Sequence, residues 1–542
     1  MTTLGKVVVT IVILAIACFG AYKWIDRAKP GAQPVATSAS ESKSGAPGAN
    51  NAAPGKTAKL DASEFVAPLN SCPLLPPAGA YLPKDKVVDI ELSEYAGYAG
   101  LIVANGGLEP NDDSIFARKH GFKLRIKLSE EESWPALNTG RIAASATTVD
   151  VLSAYCRNFQ VTAPVQIGFS RGADGLVVRK EIRRINDLKG RTLVTSQFTE
   201  SDFFLRYLAQ EAGLGVHMLP TPSAAPQPDK INLLFAPDAF AAGDLFLKDL
   251  QSGSNRLAGC VTWAPKTTDV VAASGGNAKI LTTNKNLLIV ADILVVNKGF
   301  AQANPKMVAG LVAGILEGNK QVRDNAEPHI ATIGKAFKWD ADKTRRELGK
   351  VHFSNGPENL AFYSGAIDAA GSFAGIYSSA TLAYGPLIDQ PVDADRYMDP
   401  SYLKELDAAK AFAGQQVAIA PIRSSGGGAL EGDPLLTKDI RFLFEPNSAK
   451  LDMKHKANLT ALDSIKRLLQ VSPGSTILLR GHVDNAMVES FRKQGGETFV
   501  RQMSLKAMEL SKNRAAEIRS VLVSQLAVPA NRLETVGRGW EE

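Results

Sequence analysis

Two charged residues near the C-terminal end, an acid and an arginine, are carried by elements with clear sequence signals. Asp484 leaves the stretch TILLRGHVDN, and Arg514 lies within MELSKNRAAEIRSVL. A carboxylate accepts an ammonium, while a planar guanidinium grips a carboxylate with two parallel hydrogen bonds. The elements that hold them are legible. Ile477, Leu478 and Leu479 form an apolar run ended by Gly481 and Asn485, which predicts a buried strand. Leu505, Met508, Ala515, Ile518 and Leu522 recur at mostly three- to four-residue spacing, which predicts a helix. Asp484 is therefore expected at a strand exit and Arg514 on a helix.

A second set of candidates lies further upstream, where strand and helix signals alternate from about Lys84 to Ala413. FKLRIKL alternates with period two, and QIGFS, GLVVRK, INLLFA, AKILTT and ADILVVN are short apolar runs. DFFLRYLAQEAGL reads as an amphipathic helix ending at Gly213. This is the α/β pattern of parallel strands covered by helices, and its length suits two lobes with a cleft. Ligands in such folds sit at strand ends, where loop amides and helix N-termini converge. The residues expected there are Asn105, Gly106, Thr147, Thr148, Ser170, Arg171, Ser196, Thr199, Ser201 and Asp238, with Asp292 ahead of a strand. Arg171 has the geometry to hold an anion. Trp263 fits an aromatic wall of the cleft or a core position equally well. Ser, Thr, Asn and Asp also cap helices and turns for local reasons.

Both regions resemble known families. GHVD followed by LSKNRA resembles the peptidoglycan-binding motif of the OmpA C-terminal-like family. RFLFEPNSAKL is similar to that family's opening strand and turn. The resemblance implies a small α+β domain in which Asp484 pairs with the ammonium of a diaminopimelate peptide stem and Arg514 with its carboxylate. Ala507 stands where the family has Asn, and about fifteen extra residues, including Gly495-Gly496, precede the helix. ELSEYAGYAGL, IFARKHGFKLRIKL, LNTGRIAASATT, SRGADGLVVRKEIRRINDLKGRTLVTS and ADILVVNKGFAQANPKMV resemble periplasmic substrate-binding proteins of the nitrate, sulfonate and taurine ABC-transporter type. That implies a two-lobed periplasmic-binding-protein type II fold and a small solute, without naming the solute. The thiamine-pyrimidine synthases share this fold but need a clustered cysteine motif that the sequence lacks, so no enzyme and no cofactor is expected.

The whole chain has 542 residues, 45% apolar and 21% charged, with a net charge of +6. That length exceeds one ordinary domain. The charge excess is small and no aromatic-plus-basic cluster occurs, so no nucleic-acid partner is expected. Six histidines, four cysteines and no CxxC or HExxH spacing imply no metal site. Residues 7–24 form a nearly continuous apolar run, long enough for a marginal membrane span. It is read as an inner-membrane signal anchor, with the rest of the chain in the periplasm and an inner-membrane partner protein conceivable. A cleaved signal peptide, or lipidation at Cys18, is the alternative. Cys72, Cys156 and Cys260 then lie in an oxidising compartment, where one disulfide is possible between an unspecified pair.

The expected organisation is an anchor over 1–28, a linker over 29–83, the two-lobed domain over 84–413, a linker over 414–434 and the wall-binding domain over 435–542. The Ala, Gly, Pro, Ser and Lys of the first linker bury no core. Its stretch over 29–63, as a coil of about 35 residues, spans roughly 30 Å on average. The function implied is a membrane-anchored envelope protein that binds a solute and peptidoglycan. A transporter's binding component and a purely structural membrane-to-wall tether are the alternatives.

Overall fold

The computed structural model describes residues 60–129, 133–366, 371–419, 434–445, 448–472 and 474–540. The anchor expected over 7–24 lies outside them. Among the described residues no helix is long and apolar enough to cross a membrane.

Two six-stranded sheets build the upstream region. The first contains β1 (Val87–Leu92), β2 (Lys123–Leu128), β3 (Ala144–Thr148), β4 (Val161–Ser170), β11 (Ala291–Asn297) and β12 (Val351–Phe353), in the order β12-β4-β11-β3-β1-β2. The second contains β5 (Gly175–Arg179), β6 (Thr192–Thr195), β7 (Gly215–Met218), β8 (Lys230–Phe235), β9 (Gly259–Thr262) and β10 (Ala278–Thr283), in the order β10-β5-β9-β6-β8-β7. The chain crosses between them twice, over 171–174 and over 284–290.

The crossings explain why the sheets are mixed, where the sequence pattern predicts parallel strands. β4 ends at one crossing and β11 begins at the other, so the two meet head to tail, with Ala291 opposite Phe169. β11 is likewise antiparallel to β3, pairing Asp292 with Thr148. In the second sheet β5 starts where β9 and β10 stop, with Gly175 opposite Thr262 and Thr283. β12 is also antiparallel to β4, and the remaining pairs, β1 with β2 and β3, β6 with β8 and β9, and β7 with β8, are parallel. The ends of β3, β4, β9 and β10 and the starts of β5 and β11 thus gather at the junction of the two sheets.

One element differs in kind from its expectation. LIVAN ends in a helix, Ala99–Asn105, and Gly106 is its left-handed cap with φ 75°. A short apolar run does not separate a strand from a buried helix, and here packing decided: Leu101 and Ile102 are fully buried.

The segment before β1 lies on both lobes. Glu64 pairs with Lys248 at 2.7 Å, Val66 bonds to the Phe235 carbonyl at 2.8 Å, and the Leu69 amide donates to Gln197 at 2.8 Å. All three partners belong to the second lobe. Cys72 then forms a disulfide with Cys156 of the first lobe, Asn138 donates to the Pro76 carbonyl at 2.7 Å, and the Tyr81 hydroxyl reaches Asp89 at 2.8 Å. Cys260, the third of these cysteines, is buried and free.

The C-terminal domain contains helix Lys456–Val471, β13 (Ile477–Gly481), helix Val488–Ser524 and β14 (Leu533–Gly537), with β13 and β14 parallel. The two helices pack Leu462, Ile465, Leu469, Ile518, Val521 and Leu522 over Leu533. Gly495 and Gly496 are non-helical and break the long helix, so the extra residues form its first part. Leu505, expected on a buried stripe, is exposed, as is Leu459 on the preceding helix. Arg532 donates to the Leu469 and Ser475 carbonyls at 2.7 and 2.8 Å, closing carbonyls that a helix end leaves without partners.

This domain touches the lobes. The Leu288 amide, in the second crossing, donates to the Val471 carbonyl at 2.7 Å. Ile185 bonds to the Leu435 carbonyl at 3.0 Å, and Asn186 exchanges hydrogen bonds with the Thr437 backbone at 2.9 and 3.0 Å.

Candidate functional site

The gathered strand ends enclose a small cavity of about 30 Å³. The first lobe contributes Ser93, Tyr95, Tyr98, Thr147, Thr148, Ser170 and Asp292. The second lobe and the crossings contribute Asp174, Glu200, Trp263 and Val290. The local sequence accounts for each position. Thr147 and Thr148 end β3, with Thr148 serving as N-cap of helix Val149–Tyr155. Asp292 occupies the second position of β11 and faces Thr148 across the ladder. Asp174 sits one residue before β5, and Glu200 opens helix Glu200–Glu211.

The chemistry of this cavity is acidic and aromatic. Asp174 and Asp292 are each 2% exposed. Burial pushes the Asp174 carboxyl up to about 6. Burial, reinforced by the charge of Asp174 and that of Asp150, pushes Asp292 well above the usual carboxylate range. Asp150 lies behind them in the first turn of its helix, fully buried, and burial pushes it up to about 7. A carboxylate removed from water without a counter-charge holds its proton, and a like charge nearby strengthens the effect. The Tyr95 hydroxyl donates to Asp292 at 3.4 Å, and Asn284 donates to Asp174 at 3.0 Å. The Tyr95 and Tyr98 rings meet edge to face at 5.2 Å. Thr147 Oγ1 and Trp263 Nε1 are among the buried polar atoms on the lining that have no hydrogen-bond partner among the described residues.

The structure divides the sequence candidates. Thr147, Thr148 and Ser170 line the cavity, and so does Trp263, which had two readings. Arg171 sits beside it, its Nε donating to the Lys285 carbonyl at 3.1 Å. The Thr199 hydroxyl bonds to the Ser196 carbonyl at 2.9 Å, and the Ser196 hydroxyl bonds to the Pro237 carbonyl at 3.4 Å. Ser201 is fully buried in the first turn of its helix. Asp238 caps helix Ala239–Ser252 by accepting from Ala241 at 2.7 Å. Asn105 donates to the carbonyls of Gly107, Glu109 and Leu124, fixing the loop after its helix, with Gly106 beside it. Asp174 and Glu200 were missed. Each sits in a context, RGADG and FTESD, that reads as an ordinary turn or helix start, and only the approach of the second lobe makes them face Asp292.

The C-terminal site is open by contrast. Asp484 is exposed beyond β13, accepting from the Ala486 amide at 2.7 Å. Arg514 is half-buried. Its guanidinium lies 4.7 Å from the centre of the Phe444 ring and donates to the Ser448 carbonyl at 3.4 Å. The strand exit and the helix meet through a glycine: a Cβ on Gly481 would lie 2.1 Å from the Ser511 carbonyl oxygen. That close approach packs the end of β13, three residues before Asp484, against the helix three residues before Arg514. Further backbone bonds, from Val483 to Gly539 at 2.7 Å and from Gly539 to Ser511 Oγ at 2.9 Å, hold the exit in place. Among the described residues no group of three His, Cys, Asp or Glu side chains is placed to hold a metal ion.

Comparison with known proteins covers both regions. No curated protein matches the chain. Among solved structures, the periplasmic aliphatic sulphonate binding protein SsuA from Escherichia coli aligns over 64% of this chain and 100% of its own, at 16% identity and a TM-score of 0.44. The periplasmic nitrate-binding protein NrtA from Synechocystis PCC 6803 aligns over 63% and 93%, at 11% identity and a TM-score of 0.46. Neither likeness says anything about this chain's ligand. Residues 443–542 match the OmpA family, and the open site of Asp484 and Arg514 lies in an OmpA family domain.

Proposed function

We propose that this chain is a non-enzymatic envelope protein with two binding functions. It holds a small solute between its lobes, and it grips peptidoglycan through Asp484 and Arg514. The observation that carries the reading is the cavity itself. It lies where two sheets meet and takes its lining from both. A solute bound there has differential contacts with open and closed arrangements, which is what drives hinge closure. Residues 7–24 would hold the chain in the inner membrane, and the periplasmic part would report occupancy to a membrane partner or act as a scaffold. Attachment at two points favours sensing or scaffolding over bulk uptake, for which a binding protein must diffuse.

The test uses the full chain in detergent. It should sediment with purified peptidoglycan, and small-angle scattering should show compaction on addition of a cleft solute. Sedimentation without any solute response would leave a spacer between membrane and wall. A chain that stays in the supernatant would remove the wall-binding half.

A further inference from the structure

The solute reading leaves the chemical class of the ligand open, and the lining of the cavity narrows it. Three carboxylates, Asp174, Glu200 and Asp292, face the cavity, and among the described residues its lining contains no lysine, arginine or histidine. Asp150 adds a fourth carboxyl just behind. The buried cation Arg206 pairs with Asp202 at 2.7 Å inside the Glu200–Glu211 helix. Arg171 reaches away to the Lys285 carbonyl. An anion placed here would add charge to a dry site where the Asp174 and Asp292 carboxyls already repel one another, which is unfavourable.

A second observation points to a ligand independently of charge. Thr147 and Trp263 line the cavity at 2% and 8% exposure, yet Thr147 Oγ1 and Trp263 Nε1 bond to nothing among the described residues. Buried polar atoms are nearly always satisfied. An indole N–H donates only, so its partner must present a lone pair. Tyr95, Tyr98 and Trp263 add aromatic surface, whose ring faces attract cations and favour flat groups.

We propose that the cleft, once its lobes part to widen the cavity, takes a small organic cation, flat or aromatic in part, with N–H donors for Asp174 and Asp292 and one acceptor atom for Trp263. This rests on the solute-binding reading and deepens it. It sets the chain apart from a binder of sulfonate or nitrate.

Binding is linked to protons. Without a counter-charge the buried carboxyls Asp150, Asp174 and Asp292 retain protons into the neutral range. A bound cation replaces those protons, which leave to solvent, so its affinity rises as pH rises from 5 to 8. The groups that bear on this titration are the three aspartates, Glu200, the Tyr95 hydroxyl and the Asp202–Arg206 pair.

The experiment is titration calorimetry of the full chain with three probes of one shape and different charge: benzamidinium, benzamide and benzoate. The expected result is binding of benzamidinium at least tenfold tighter than of the other two, strengthening from pH 5 to pH 8. Asp174→Asn and Asp292→Asn should each weaken it at least tenfold, while thermal melting shows that both variants fold. Tighter binding of benzoate overturns the charge assignment and leaves the solute site standing. Binding of benzamidinium that both variants leave unchanged places it outside this cleft and overturns the proposal. Binding of magnesium with none of the organic probes overturns the organic cation. No heat from any probe overturns both the class and the solute-binding reading.

Discussion

The two sites use the same charged groups in opposite surroundings. In the cleft the carboxylates are buried, crowd one another and carry raised pKa values. In the C-terminal domain Asp484 stands in water, and Arg514 is stacked on Phe444 with its guanidinium still accessible. The first site is kept under electrostatic stress that a ligand of the right charge relieves. The second is open to water, and on the proposed reading any affinity there would come from charge-assisted hydrogen bonds at a wet surface. Removing a charge should therefore stabilise the fold in the cleft, and near the wall site should change only binding.

The largest expected effect tests the stressed half of this contrast. The Asp150 carboxyl rises from 3.8 to about 7 on folding. A group whose folded pKa is raised contributes stability that is full below its unfolded pKa and lost as pH climbs through the folded one. Stability of the ligand-free chain should thus fall between about pH 4 and pH 7. A shift of about three units corresponds to at most about 4 kcal/mol. Denaturant unfolding of the wild type and Asp150→Asn across this range checks it. The variant's curve should be flatter, and equal slopes would show that Asp150 is not the strained group.

The next effect sharpens the other half. Arg514→Ala removes a charge-assisted pair of about 1.5–3 kcal/mol, so peptidoglycan affinity in a sedimentation assay should drop roughly ten- to a hundredfold. Asp484→Asn should act similarly, and neither should move the melting temperature appreciably. If both variants bind like the parent, the carry-over of the motif fails. The smallest effect concerns Phe444, whose ring supports Arg514 at 4.7 Å. An exposed cation–π contact is worth about 0.5–1 kcal/mol, so Phe444→Leu should weaken wall binding about two- to fivefold. A loss as large as that of Arg514→Ala would mean the ring is holding the domain together instead.

Local pattern and tertiary placement account for what the sequence disclosed. The wall motif was legible because strand, glycine and helix are nearly contiguous and each carries its own signal. The strand ends Thr147, Thr148 and Ser170 were legible because two lobes with a cleft imply where strands must stop. The acidic character of the cleft was not. Asp174 and Glu200 are distant in sequence from Asp292, and nothing near them marks burial. The antiparallel strands β5 and β11 were also hidden, since direction follows from where the chain crosses between lobes, and residue type does not record it. Asn105 was misplaced for a simpler reason: a five-residue apolar run fits a strand and a helix alike.

The segment ahead of β1 has a mechanical consequence. Its backbone is fixed to the second lobe at Leu69 through Gln197 and to the first at Cys72 through a covalent bond. The three intervening steps extend to at most about 10 Å. While both fixings hold, the lobes at that rim swing apart no further than this leash allows, however freely the two crossings bend. Pulling from the N-terminal side would load the weaker, hydrogen-bonded fixing first. The second lobe would be freed while the first stayed tied to the chain, so tension would loosen the jaw before it unravelled the protein.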